Sequence, residues 1–188
     1  MGALARAIET YIAAKDGNRP HRIGDAFEPD ATLRMTVRTE AVAFPAVTHG
    51  ASEIARILSS DFGRRYENVY TFCIGTPPAS EVQALTCDWL VCMSEKDGGA
   101  LRVGWGTYQW TLSQAGRIAD LHIVIEAMTV LPARRAAEVF RWAGALPYPW
   151  CAAQALPPAR RTDAAPSWLG SEPEAEAMMQ TLAARHTA

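Results

Sequence analysis

The residues best placed to do acid–base chemistry lie on one short run. In RIADLHIVIEAM, residues 117–128, an extended chain alternates its side chains, so Asp120, His122 and Glu126 share one face with Val124 and Met128. Imidazole beside a carboxylate is the usual pairing for a general base. The set can act this way only if its face lines a pocket; turned outward, the same groups serve interface hydrogen bonds. His49, in HGAS ahead of a helix, is a second candidate base near a pocket mouth. Metal binding is not expected, because His21, His49, His122 and His186 are scattered along the chain. Cys73, Cys87, Cys92 and Cys151 contain no CxxC pair, and three of them lie in apolar strand-like runs, so they read as buried thiols. Asp88 has the opposite parity to Trp89 and reads as a surface or interface carboxylate. Arg34 and Arg38 point away from Met35, as a solvated face or an anion site at a mouth.

These residues must be positioned by a β-hairpin over residues 101–128. Two runs rich in aromatic and β-branched residues flank a polar turn at Gln114–Gly116. In its second run Ala119, Leu121, Ile123, Ile125 and Ala127 share the other face. In its first, Tyr108, Trp110 and Leu112 oppose Val103, Trp105, Thr107 and Gln109. Neither face is plainly polar, so both are expected to be covered: one by helices and a cavity, the other by a second subunit or a returning segment.

The rest of the chain reads in order as helices and then strands. Residues 3–15 form an amphipathic helix with Leu4, Ile8, Tyr11 and Ile12 at helical spacing, ended by Asp16-Gly17-Asn18. A short helix follows Arg19-Pro20 and stops at Glu28-Pro29-Asp30. Residues 31–38 alternate as a half-buried strand, and residues 39–50 are a loop or a loop with a short strand. A helix over residues 51–62 buries Ile54, Ile57, Leu58 and Phe62, with Ser52 as its N-cap. Strands follow over residues 66–75 and 81–94, the second with Cys87, Trp89, Val91 and Met93 on one face. Residues 131–188 form a Pro- and Trp-rich extension to the domain of residues 1–130. It should hold a helix over 132–143, extended stretches at Leu146–Trp150 and Leu156-Pro157-Pro158, and a final helix over 172–185. The pattern is α+β.

Length and composition bound the function. At 188 residues and 49% hydrophobic, the chain can bury a sizeable core. A net charge of −2 gives no electrostatic footprint for nucleic acid or an anionic membrane. No apolar run has membrane-spanning length, and Arg6 and Glu9 interrupt what a secretory signal would need, so a cytoplasmic location is expected.

With these elements in place, the chain resembles the nuclear transport factor 2-like superfamily in its SnoaL-like branch. The matching stretches are AIETYIAAKDG, FEPDATLRM, HGASEIARIL and GRIADLHIVIE, within residues 3–128. The resemblance implies a curved antiparallel sheet wrapped around the helices into a cone with an apolar pocket at its mouth, commonly as a homodimer through the sheet. It places an oxyanion-binding tyrosine at Tyr11. The position of a second oxyanion-binding acid reads Tyr108. The proton-shuttling carboxylate of the steroid isomerases falls at Met35, and the catalytic acid of the polyketide cyclases at Ile123; neither side chain takes up a proton. The implied pocket wall is Met35, Trp89, Val91, Trp110, Leu121, Ile123 and Ile125, with two phenols.

Three functions follow. The protein binds a small, largely apolar, ring-containing and oxygenated molecule without a cofactor. Alternatively it is a cofactor-independent isomerase, dehydratase or cyclase in which Tyr11 and Tyr108 donate hydrogen bonds to an oxyanion, and His49 or His122 is the base. A third reading is an interaction scaffold acting through its tail. Fold alone does not choose among them.

Overall fold

The computed structural model describes residues 1–157 and 166–186. Helix α1, Ala3–Asp16, buries Leu4, Ile8, Tyr11 and Ile12 as its 3.6-residue spacing requires. It ends where Gly17 N–H bonds the Ala13 carbonyl at 3.2 Å and Asn18 turns to φ 48°. A 3-10 turn opened by Pro20 leads into α2, Ile23–Ala26.

Strand β1, Phe27–Val37, starts earlier than the sequence suggests. Pro29 does not delay it, because the pairing with its neighbour is irregular between Phe27 and Thr32, where a missing N–H is tolerated. Loop residues 38–46 lead to a short β2, Val47–His49. The next helix begins after Gly50, whose φ of +86° suits glycine, and has no side-chain cap, so Ser52 is not its N-cap. It runs through α3, Ala51–Ala55, a π-helical stretch Arg56–Asp61 and α4, Phe62–Arg65, passing the expected end at Phe62.

Strands β3 (Tyr66–Ile74), β4 (Ala84–Glu95), β5 (Leu101–Leu112) and β6 (Ile118–Leu131) form the expected antiparallel meander. With a short β7, Trp150–Cys151, the whole sheet is mixed, in the order β2-β1-β6-β5-β4-β3-β7. Strand β1 joins it parallel to β6, and β7 parallel to β3.

One extra residue corrects the sequence-derived faces. Trp105 pairs with Ala127 but Gly106 pairs with Ile125, so Glu126 is bulged and parity reverses beyond it. Ala127 therefore packs on the outer core and Met128 on the inner one, the reverse of simple alternation. Gly106 makes the bulge possible: a Cβ there would lie 1.8 Å from the Val124 carbonyl oxygen and 2.8 Å from the Trp89 ring.

Two cores flank the sheet. The inner one joins α1, α2 and α3 to Met35, Trp89, Tyr108 and Ile123. The outer one joins Phe72, Leu90, Val103 and Trp105 to the extension, which contributes α5 (Ala136–Ala143), Trp168, and α6 (Pro173–Ala184) with Met178, Met179 and Leu182. A returning segment of the same chain thus covers this face. Its tryptophans are used at home: Trp168 is buried edge-on to Trp142 at 5.6 Å, and Trp150 Nε1 donates to Glu9 Oε1 at 2.9 Å. Asp88 is correspondingly buried rather than a surface carboxylate. It accepts two hydrogen bonds from Arg185, at 2.7 and 3.1 Å, and one from Thr107 at 2.9 Å. The expected extended stretch ending at Pro158 lies partly outside the described residues. Among the described residues no helix is long and apolar enough to cross a membrane.

Candidate functional site

The inner face of the sheet and α1 enclose a cavity whose wall includes Tyr11, Met35, Trp89, Val91, Tyr108, Ile123 and Ile125, as the sequence suggested. Trp110 and Leu121 do not line it. They are fully buried beneath it, with Trp110 packed 5.5 Å from Tyr11 and 4.8 Å from Tyr108 between ring centroids. The free space is about 60 Å³, room for only a few water molecules. Val42, Phe44, Phe62 and Tyr66 separate it from an outer vestibule of about 400 Å³ bordered by Arg56, Asp61, Arg64 and Arg65. Arg102 holds the loop carrying Val42 in place, donating to the Ala41 carbonyl and lying over the Tyr66 ring at 5.8 Å.

The phenols meet as their positions on α1 and β5 require, with ring centroids 6.4 Å apart at 86°. Tyr11 Oη is wholly buried and makes no hydrogen bond of regular geometry. Burial raises the pKa of both phenols, an effect the neighbouring Tyr108 hydroxyl partly opposes at Tyr11. Both are therefore neutral hydrogen-bond donors at physiological pH. Trp89 Nε1, also at the wall, has no partner.

Sequence reasoning missed the charge beside them. Lys15 lines the cavity at 6% exposure, its Nζ donating to Asp16 Oδ1 at 2.6 Å and Thr71 Oγ1 at 2.8 Å, with the Phe62 ring centroid 4.8 Å away. Asp16 also accepts from Thr71 N–H at 2.8 Å and from Thr71 Oγ1 at 2.9 Å. A signal was present: Lys15 follows Tyr11 by four residues and so continues the apolar stripe of α1.

The other candidates lie elsewhere. His49 is exposed on β2 with Nδ1 3.2 Å from Thr32 Oγ1. His122 faces outward, with Nε2 2.9 Å from Thr36 Oγ1 and Nδ1 3.3 Å from Gln109 Oε1. Asp120 and Glu126 are taken by Arg34 and Arg38 of β1, which runs alongside β6. The Asp120–His122–Glu126 face is thus a row of cross-strand pairs outside the cavity. All four cysteines are free; Cys73, Cys92 and Cys151 are buried as expected, but Cys87 is only half-buried. Burial pushes the Cys92 thiol up to about 12 and Cys151 to about 11, as inert thiols should be.

No family model and no curated protein matches the sequence. Solved structures do match in shape. A computationally designed 17-OHP binder superposes at a TM-score of 0.55 with 13% identity, over 69% of this chain and 99% of the binder. The Rv0760c protein of Mycobacterium tuberculosis, in complex with estradiol-17beta-hemisuccinate, gives 0.54 and 11%, over 65% and 93% of the two chains. A delta 5-3-ketosteroid isomerase from Mycobacterium sp. gives 0.54 and 13%, over 69% and 99%. Likeness at this identity is a likeness of fold. N-terminal helices packed on one face of a mixed sheet, together with the likeness in shape to these structures, give this chain the nuclear transport factor 2-like fold.

Proposed function

We propose that the protein binds a small, largely apolar, ring-containing and oxygenated molecule in the cavity behind Val42 and Phe44. The observation that carries this reading is the Tyr11 hydroxyl, wholly buried at a largely apolar wall with the Tyr108 hydroxyl beside it but no hydrogen bond of regular geometry. Leaving a buried hydroxyl unbonded costs about 1–3 kcal/mol, which an occupant bearing oxygen would recover. Of the similar folds, one is a designed 17-OHP binder and another was solved in complex with estradiol-17beta-hemisuccinate, which agrees with this use of the cavity. The free space of about 60 Å³ is well below the roughly 300–1,000 Å³ typical of ligand pockets, so the occupant is compact and the loop of residues 38–46 moves to admit it.

Isomerase, dehydratase or cyclase chemistry has weaker support. Met35 and Ile123 both face the cavity, and its wall among the described residues includes no carboxylate or histidine to move a proton. As a scaffold the tail is equally poorly supported, since its tryptophans are packed against its own domain. The reading includes a cytoplasmic homodimer joined through the part of the outer face left open on β1 and β6; sedimentation at micromolar concentration checks the assembly.

The cavity reading is tested by thermal unfolding and tryptophan fluorescence against a panel of one- and two-ring ketones, phenols and lactones. Saturable stabilisation that Ile123→Trp abolishes is the expected result. Equal responses from the wild type and the filled variant would overturn it.

A further inference from the structure

The polar groups left unused at the cavity wall are donors. Trp89 Nε1–H has no partner, Tyr11 Oη has the Tyr108 hydroxyl beside it but no hydrogen bond of regular geometry, and Lys15 gives two of its three ammonium hydrogens to Asp16 and Thr71, with the Phe62 ring centroid 4.8 Å away. Tyr11 and Lys15 are four residues apart on one helix, so their side chains lie on the same face one turn apart. The neighbouring acceptors are engaged: Thr71 Oγ1 accepts from Lys15, and both Asp16 oxygens accept hydrogen bonds.

Charge decides what kind of acceptor the site takes. Lys15 and Asp16 already neutralise one another at 2.6 Å, with side-chain exposures of 7% and 5%. A carboxylate placed beside them would leave one uncompensated negative charge in an apolar chamber, which is costly. A neutral carbonyl oxygen meets the free donors without adding charge.

Resting on the binding reading above, we infer that Lys15 is a specificity-determining residue, and that the ligand is a neutral carbonyl compound, a ketone or aldehyde, whose oxygen is held by Lys15 and Tyr11. Asp16 acts as a positioning residue, holding the ammonium against the wall.

The test uses the full-length protein with 13C-methyl methionine. Met35, Met93 and Met128 line the cavity, while Met178 and Met179 in the outer core are internal controls. The probes are acetophenone, ethylbenzene and benzoate, similar in size and differing in the polar group. The expected result is selective shifts of the three cavity methyls, with acetophenone about tenfold tighter than ethylbenzene and benzoate weakest. In the paired variant Lys15→Met with Asp16→Asn, which removes both charges together, ethylbenzene affinity should persist and the ketone preference should vanish. Should that variant not fold, Lys15→Gln replaces it and should reduce the preference. A preference unchanged in the folded variant overturns the role of Lys15 while leaving the cavity reading intact. Benzoate binding tightest overturns the ligand class. If none of the three probes moves the cavity methyls, the binding reading falls, and this inference with it.

Discussion

Tyr148 Oη donates a 3.0 Å hydrogen bond to Asp16 Oδ2 across 132 positions of the chain. Asp16 is the residue that holds Lys15 at the cavity wall, so the C-terminal extension touches the charge on which the site depends. The outer covering thus reaches the inner chamber, on the opposite face of the sheet, through the Asp16 carboxylate.

Removing that contact should be felt modestly in stability. Tyr148→Phe loses one hydrogen bond from a partly exposed phenol to a carboxylate that keeps its bonds to Lys15 and Thr71, an expected cost of about 1 kcal/mol. Asp16→Ala leaves the buried ammonium of Lys15 without its counter-charge, and about 3–5 kcal/mol is expected. Urea unfolding of the two variants checks the ordering; a Tyr148→Phe cost equal to that of Asp16→Ala would show that the extension, rather than Lys15, is what Asp16 chiefly serves.

A pH dependence follows from Glu28 on β1. The Ser113 hydroxyl, at 2.5 Å, and then Arg117, at 3.0 and 3.2 Å, hold its carboxyl below the usual glutamate range. The folded value lies below the unfolded one, so this group stabilises the fold above the ordinary glutamate range. Its contribution disappears as pH falls through the lowered folded value. Glu28→Gln should therefore be less stable than wild type at about pH 7, with a smaller deficit at about pH 3. Urea curves at both pH values measure this, and an equal deficit at the two would rule out the ionised carboxylate as the cause.

How much of this was legible depended on periodicity. The stripe Leu4, Ile8, Tyr11 and Ile12, and the parity of Trp89, Val91, Tyr108, Ile123 and Ile125, were readable because helix and strand alternate at fixed periods, and these residues do face the cavity or its core. Three things were not. The bulge at Glu126 depends on Gly106 of the partner strand, so Met128 was assigned to the wrong face. Trp110 and Leu121 have inward parity, but depth below a cavity is set by packing and not by alternation. For Lys15 and Asp16 the spacing of Lys15 from Tyr11 was readable, but their burial was not, because Thr71 and Tyr148, which close around them, are distant in sequence.

Truncation after Leu131 should fail to yield a well-behaved domain. Phe72, Leu90, Val103 and Trp105 are buried on the outer face against the extension, and Asp88 there depends on Arg185 for its charge partner. Exposing a contiguous apolar face drives association. Light scattering and dye binding on residues 1–131 should report aggregation or self-association. A stable monomer with native near-ultraviolet dichroism would mean that the outer core is dispensable.

Gly106 offers the sharpest test of the β5–β6 geometry. Gly106→Ala puts a methyl 1.8 Å from the Val124 carbonyl oxygen, which is backbone and cannot yield cheaply, and 2.8 Å from Trp89 Cζ2. The bulge must then shift or Trp89 must leave its place at the cavity wall, at an expected cost of about 3 kcal/mol or more. Gly24→Ala is the matched control: it lies in α2 with nothing within 4 Å of the added methyl, and should be neutral or stabilising by about 0.5–1 kcal/mol. Thermal unfolding orders the two variants, and tryptophan fluorescence of Gly106→Ala reports whether Trp89 has moved. If both variants are equally stable, the close approach of β6 to Gly106 is not what holds Ile123 and Met128 on the inner face.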